Sequence, residues 1–209
     1  MSEKKPDLDA AYGLKSPEDS VRLYRDWAET YDVEFAAAKD YLLPEATAAA
    51  FAEAGGAGPV LDVGAGTGLL GAALAARGIG PIDGLDISKD MLKAARRKGV
   101  YRALSRADLT RPLPIAANSY AGITSSGTFT HGHVGPEALD GLLAVAAAGA
   151  LFTLSINSGV YATQGFAAKF DALGAAISGL ELLEVPIYGA RSAADHAGDR
   201  ALIARFRKV

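Results

Sequence analysis

The chain has 209 residues, half of them hydrophobic, which suits one α/β domain with a sizeable core. Its formal net charge of −3 argues against a nucleic-acid partner, and its lack of cysteine excludes disulfides, thiolate metal sites and cysteine nucleophiles. A polar N-terminus and the absence of an apolar run of about 18 residues argue against a signal peptide and a membrane span, so we expect a cytoplasmic protein with no membrane contact and no metal site.

The N-terminal part of the chain carries two predicted helices. Residues 1–15 read as a flexible lead-in, and residues 16–209 as a single domain. Ser16 begins the first helix as its N-cap, followed by a proline and two acids in the first turn. The second helix covers residues 44–54 and ends at a pair of glycines.

From residue 59 onward, short apolar runs that suit buried strands alternate with Ala/Leu-rich segments that suit helices. The predicted strands cover residues 59–63, 81–87, 100–105, 120–125, 150–157, 180–188 and 201–207. The predicted helices between them cover residues 68–77, 89–98, 136–148 and 166–173. Strands that alternate with helices form a parallel sheet, while the last two strands, with no helix between them, form an antiparallel pair. We therefore predict a Rossmann-like three-layer α/β/α sandwich, with a seven-stranded, mostly parallel sheet and an antiparallel edge strand.

A glycine-rich turn joins the first of these strands to its helix, in the segment VLDVGAGTG at residues 60–68. Gly64, Gly66 and Gly68 allow a tight turn and a close approach by a ligand beside a helix N-terminus. A phosphate-binding loop requires a Gly-Lys-Ser/Thr ending, and none follows here. Leu69 stands where a dinucleotide fold has its third glycine. Asp62 would repel a phosphate but could hold an ammonium group. The turn therefore favours a ligand with a carboxylate, an ammonium and a ribose.

On this segment the chain resembles the class I S-adenosylmethionine-dependent methyltransferases, and the resemblance extends over about residues 16–209. It implies that S-adenosylmethionine is the cofactor. It also implies that Asp62 engages the amino group of the cofactor, directly or through water. The residues placed near its methionine part are those of the turn: Gly64, Ala65, Gly66, Thr67 and Gly68.

The resemblance places the nucleoside part of the cofactor farther along the sheet. Asp86, at the end of the second strand, would take both ribose hydroxyls, because a carboxylate offers two acceptor atoms. Asp83 is a competing candidate, but it lies within that strand. The residues implied near the adenine are Ile87, Met91, Asp108 and Leu109, with Asp108 accepting from the adenine amino group.

The fourth strand and the loop after it predict the active-site face, because open α/β sheets bind ligands at the carboxyl ends of their strands. The segment SSGTFTHGH at residues 125–133, together with WAETYD at residues 27–32, resembles the small Williams–Beuren-region methyltransferase-like subgroup. Ser125 and Ser126 would then lie beside the methyl group. His131 is the first candidate for a general base and His133 the second, since imidazole titrates near neutral pH. The alternative is that these histidines bond the loop to itself.

The N-terminal helices of this family often form a lid, which is the role expected for residues 16–54. Tyr31 is a candidate cofactor residue. The candidate substrate residues are Tyr24, Trp27, Asn157 and Tyr161. The aromatic residues of the first helix could instead pack against the domain as an ordinary apolar stripe.

The acceptor is expected to be a small molecule, with a protein side chain as the second choice. The Asn/Asp-Pro-Pro-aromatic motif of enzymes that methylate base amino groups is absent after the fourth strand, and the chain is acidic. Two other functions remain open at this point. One is a nicotinamide-dependent oxidoreductase, and the other is a protein that binds S-adenosylmethionine without catalysis.

Overall fold

The computed structural model describes residues 40–190 and 198–209. The predicted lead-in at residues 1–15 and the first predicted helix lie outside these ranges. Within them, the helices are Leu43–Glu53 (α1), Leu69–Ala76 (α2), Lys89–Arg97 (α3), Ala138–Val145 (α4), Ser158–Thr163 (α5) and Phe166–Leu173 (α6). The strands are Val60–Val63 (β1), Ile82–Asp86 (β2), Ala103–Arg106 (β3), Tyr120–Phe129 (β4), Ala146–Asn157 (β5), Ile177–Pro186 (β6) and Arg200–Lys208 (β7). No helix in the described ranges is both long enough and apolar enough to span a bilayer.

The seven strands form one sheet in the order β3-β2-β1-β4-β5-β7-β6. β1 pairs in parallel with β2 and β4, and the parallel pairing continues outward to β3 on one side and β5 on the other. β7 lies antiparallel between β5 and β6, so the antiparallel pair occupies one edge. The predicted fold class is confirmed. The strand order reverses between β1 and β4, and such a switch point opens a crevice at the carboxyl ends of the strands.

Both faces of the sheet are covered, because the side chains of β1 alternate between two hydrophobic clusters. Leu61 and Val63 pack in the cluster that includes Leu139 of α4, while Val60 packs with Phe51 of α1. Side chains two residues apart on a strand share a face, so Asp62 lies on the same side as Val60. Every residue of β1 is buried, as expected of a central parallel strand. A buried carboxylate thus stands in the layer under α1 and α2.

Several predicted boundaries differ from the structure. Those of β3 and β6 differ by up to three residues, and those at the ends of α4 and β4 involve the pairing of β4 with β5. The helix predicted over residues 136–148 ends at Val145, and β5 begins at Ala146, opposite Tyr120. Helix propensity favours an Ala-rich segment, but pairing with a neighbouring strand overrides it. β4 continues to Phe129 instead of ending at residue 125, through an irregularity that includes Gly127 at φ +78°. Such bulges bend a strand and often lie next to active sites.

Candidate cofactor and active site

One pocket opens at the carboxyl ends of the central strands, on the switch-point side of the sheet. It joins the glycine turn after β1 to the end of β2, the segment after β3 and the bulged end of β4. Many of the residues singled out from the sequence line it together: Gly64, Ala65, Gly66, Thr67, Asp86, Ile87, Met91, Asp108, Leu109, Ser126 and His133. Other predicted residues do not line it: Asp62, Gly68, Ser125, His131, Asn157 and Tyr161. Tyr24, Trp27 and Tyr31 lie outside the described residues.

The glycine turn holds its shape through left-handed backbone and a close approach to β4. Gly64 has φ +68°, and a Cβ built on it would lie 2.0 Å from Thr128 Oγ1. The Thr128 hydroxyl donates to the Val63 carbonyl at 3.0 Å, which holds β4 against the turn. Gly66 has φ +53°, and a Cβ there would meet nothing nearer than 4.0 Å. Gly64 therefore packs against protein, while Gly66 borders open space where a ligand can approach.

Asp86 ties the turn to the start of α3. Its Oδ2 accepts from the Gly66 backbone N–H and its Oδ1 accepts from the Ser88 N–H, both at 2.8 Å. Burial raises the pKa of Asp86, and these backbone donors oppose that rise. A carboxylate has about four acceptor positions, so room remains for a diol. The competing candidate Asp83 is bound to Arg102 and Tyr120, does not line the pocket, and has its pKa lowered first of all by the Arg102 hydrogen bond.

The far end of the pocket is shaped by Asp108 and the apolar residues around it. Asp108 Oδ1 accepts from the backbone N–H and the hydroxyl of Thr110, at 2.9 and 2.7 Å. Ile87, Met91 and Leu109 supply apolar surface beside it. A flat apolar surface next to a carboxylate suits an adenine ring with its amino group. Thr110 was not identified from the sequence, although an Asp followed two residues later by Thr is a common turn pattern.

Asp62 is fully buried behind the glycine turn. Its Oδ2 accepts from the Tyr101 hydroxyl at 2.6 Å, and its Oδ1 has no hydrogen-bond partner among the described residues. Burial raises the pKa of Asp62 to about 7, and the charge of Asp86 adds to this rise. The Tyr101 hydroxyl and the Gly71 backbone N–H act in the opposite direction, because they stabilise the carboxylate.

The end of β4 and the loop after it form the other wall of the pocket. Ser126 and His133 line it, whereas the Ser125 hydroxyl donates to the Val63 carbonyl at 2.8 Å. His133 Nδ1 lies 2.8 Å from the His131 carbonyl oxygen. A carbonyl can only accept, so Nδ1 carries the proton and Nε2 of the neutral ring presents a lone pair. Burial lowers the pKa of His133, which favours that neutral form.

Two predicted substrate residues make structural contacts outside this pocket. Asn157 Oδ1 accepts from the backbone N–H groups of Gly159 and Val160, and so caps α5. The Tyr161 ring stacks on Phe166, with ring centroids 6.3 Å apart. Their substrate roles stay predictions. Tyr41 does line the pocket, and burial raises its pKa to about 12. The sequence offered no signal for Tyr41, which precedes α1 without any motif.

The charged residues that line the pocket discriminate between the candidate ligands. Among the described residues that line it, the acidic side chains are Asp86 and Asp108, and no Lys or Arg is present. A dinucleotide pyrophosphate would meet two carboxylates and no cation in the lining, since Arg111, which forms an ion pair with Asp108 at 3.4 Å, does not line the pocket. A ligand with a ribose, an adenine and a positive charge would fit the same residues, and the Asp62 oxygen without a partner adds to this preference.

The fold and the site define a Rossmann-like domain with a pocket at its switch point that suits a nucleoside-containing cofactor of positive charge. A family model described as a methyltransferase domain matches residues 60–149, the stretch that holds the turn, Asp86, Asp108 and His133. Together with the relatives described next, this match supports a class I S-adenosylmethionine-dependent methyltransferase, and S-adenosylmethionine is the cofactor of that class.

Individual relatives agree with this assignment. Methyltransferase-like protein 27 of Homo sapiens is 32% identical over 130 residues, which make up 60% of this chain and 53% of that protein. The chain thus spans about half the length of that curated relative. A SAM-dependent methyltransferase from Thermotoga maritima has a TM-score of 0.67 at 15% identity, covering 90% of this chain and 99% of that one. A TehB-like SAM-dependent methyltransferase from Corynebacterium glutamicum has a TM-score of 0.62 at 20% identity, covering 89% and 98%. These two structures show the shared fold.

Proposed function

We propose that this protein transfers the methyl group of S-adenosylmethionine to an oxygen or nitrogen of a small-molecule acceptor. The cofactor supplies an electrophilic methyl carbon on a sulfonium leaving group. What remains for the protein is to hold an acceptor in line with that carbon and keep water out. Positioning of this kind can contribute about 7–11 kcal/mol to lowering a barrier.

The residues that would hold the cofactor form a continuous path along the switch point. Gly66 and its neighbours would border the methionine part, Asp86 the ribose, and Asp108 with Leu109 the adenine. Support comes from their common pocket and from the bonds that fix Asp86 to the turn. The carboxylate of the cofactor would lie near the start of α2, where backbone N–H groups and the helix dipole favour an anion.

We propose that His133 removes a proton from the acceptor. It lies in the same pocket as the turn, and its Nδ1–H donates to the His131 carbonyl, so its Nε2 is the atom that can accept a proton. A base in hydrogen-bond reach contributes roughly 10²–10⁴-fold. His131, the first candidate from the sequence, does not line the pocket and supplies its backbone carbonyl to His133 instead. We therefore propose His133 as the base and His131 as its support.

A small acceptor is supported by the wall that faces the turn, where Tyr41 and Ser126 contribute hydroxyl groups beside the bulge of β4, while the Thr128 hydroxyl is already bonded to the Val63 carbonyl. Hydroxyl groups can bind a polar acceptor without needing it to be charged. A protein side chain is the second acceptor class, and a third alternative is a protein that binds S-adenosylmethionine without transfer. The N-terminal residues 16–54 remain a proposed lid. A cytoplasmic location also remains a prediction.

The test is to follow S-adenosylhomocysteine formation from S-adenosylmethionine by mass spectrometry, with a panel of small phenols, alcohols and amines and, separately, with intact proteins. We expect turnover with a member of the small-molecule panel. We also expect a fall of roughly 10²–10⁴-fold in His133→Asn, while S-adenosylhomocysteine binding is kept.

His131→Ala is the matched control, because it keeps the backbone carbonyl that bonds His133. Near wild-type turnover in this control, together with loss in His133→Asn, assigns the base to His133. Equal losses in both variants would contradict that assignment. Methylation of proteins alone would replace the acceptor class, and binding without product in any mixture would support the non-catalytic alternative.

A further inference from the structure

The pair formed by Tyr101 and Asp62 stands apart from the pocket wall and has no role in the function proposed above. The Tyr101 hydroxyl donates to Asp62 Oδ2 at 2.6 Å. The other oxygen, Oδ1, is buried without a hydrogen-bond partner among the described residues. A buried carboxylate oxygen in this state is unfavourable unless some group satisfies it. The glycine turn directly follows Asp62 in the chain, so that group is expected from the cofactor side.

Three glycines on separate elements make the space in which the Tyr101 ring lies. A Cβ on Gly71 would lie 2.2 Å from the Tyr101 hydroxyl oxygen, and a Cβ on Gly68 or on Gly84 would lie 3.0 Å from the ring. Gly68 is the third glycine of the sequence motif. Tyr101 and Ala95 fill the space that a side chain on Gly68 would need, and Gly68 does not line the pocket. The fold thus sets aside room for a ring whose hydroxyl reaches one particular carboxylate.

The groups that act on Asp62 come from each element around it. Tyr101 contributes a hydroxyl, α2 contributes the Gly71 backbone N–H, and the end of β2 contributes the negative charge of Asp86. No cation acts on it among the described residues. Burial and Asp86 favour the protonated acid, while Tyr101 and Gly71 favour the carboxylate. Tyr101 is therefore the strongest side-chain influence that keeps this group charged.

We propose that Tyr101 is a positioning residue of the cofactor site, which holds Asp62 as a carboxylate with one oxygen left for the ammonium group of S-adenosylmethionine or for a water that bridges to it. The proposal rests on S-adenosylmethionine being the ligand, and it does not depend on which acceptor is methylated. Because Asp62 has a pKa of about 7, part of the cofactor-free protein carries a neutral Asp62 at neutral pH. Binding a cation beside it would release that proton.

The experiment measures S-adenosylhomocysteine binding by calorimetry from pH 6.5 to 8.5, in wild type and in Tyr101→Phe. Phenylalanine keeps the ring in its glycine-lined space and removes only the hydroxyl donor. We expect Kd to rise about three- to tenfold at pH 6.5–7, because less Asp62 is ionised without the donor. The ratio of variant to wild-type Kd should fall towards one by pH 8.5, where Asp62 ionises in both proteins. Taking the ratio cancels the titration of the ligand itself.

Tyr120→Phe is the matched control. The Tyr120 hydroxyl donates to the carboxylate of Asp83 on β2 at 2.9 Å, away from the pocket. Its Kd ratio should stay near one at every pH. A ratio for Tyr101→Phe that is raised but constant with pH would overturn the proposal, because it would indicate a structural role alone. A ratio near one throughout would also overturn it. Failure of the wild-type protein to bind S-adenosylhomocysteine would overturn the proposed function, and this inference with it.

Discussion

Replacing Gly64 by alanine tests whether the first glycine of the turn is required by packing against β4. Its φ of +68° is a left-handed backbone conformation, which costs a non-glycine residue about 1–2 kcal/mol. The added Cβ would lie 2.0 Å from Thr128 Oγ1. Relieving that contact must strain the turn or displace the hydroxyl from the Val63 carbonyl, which adds about 1–3 kcal/mol. We expect Gly64→Ala to lower the free energy of unfolding by roughly 2–5 kcal/mol in total.

Gly78→Ala separates the two contributions. Gly78 has a nearly equal φ of +72°, and a Cβ there would meet nothing within 4 Å. Urea unfolding followed by circular dichroism should therefore show a loss of only about 1 kcal/mol for this variant. In a Thr128→Ala background, the extra loss at Gly64 should shrink, since the clashing oxygen is gone. Equal losses at Gly64 and Gly78, or a Gly64 loss that is unaffected by Thr128→Ala, would refute the packing argument.

Two further predictions concern the acidic residues. Asp86→Ala should weaken S-adenosylmethionine binding at least about tenfold, measured by calorimetry. The reason is that it removes the proposed ribose acceptor and leaves the Gly66 and Ser88 N–H groups without their acceptor. Unchanged affinity would contradict the ribose assignment. Asp62 has a pKa raised from 3.8 to about 7 in the folded protein, so its protonated form favours folding and the cofactor-free protein loses stability as pH rises from about 4 to 7. Asp62→Asn should remove this pH dependence, which reaches about 1.4 kcal/mol per pH unit. The free energy of unfolding of both proteins would be measured by urea unfolding from pH 5 to 8, and parallel plots of this free energy against pH would contradict the prediction.

The part of the pocket formed by the glycine turn and the end of β2 could be predicted from the sequence because it depends on local order. The glycine spacing, a strand before it and a helix after it place Gly66 at the pocket, and Asp86 follows at the end of the next parallel strand. The carboxyl ends of neighbouring parallel strands meet at the same edge, so spacing along the chain is enough to bring these residues together.

The environment of Asp62 could not be predicted in the same way. Strand alternation directs Asp62 to the side of Val60 and α2, so its side chain does not line the pocket, and its contact with the cofactor amino group stays a prediction. Its partner Tyr101 is 39 residues away and belongs to no motif. The length of β4 was also missed, since the strand predicted to end at residue 125 continues through the bulge at Gly127 to Phe129. Such contacts depend on packing between distant elements, which local patterns do not encode.

The position of β7 has a consequence for how the sheet assembles. β6 precedes β7 in the chain, yet among the described strands it pairs only with β7, which itself pairs with β5. During synthesis β6 therefore emerges before it has any strand to join, and β5 keeps an open hydrogen-bonding edge until β7 is available. Open edges of this kind promote pairing between different molecules. When β7 enters the sheet, it therefore covers the open edge of β5 and gives β6 its partner in the same step.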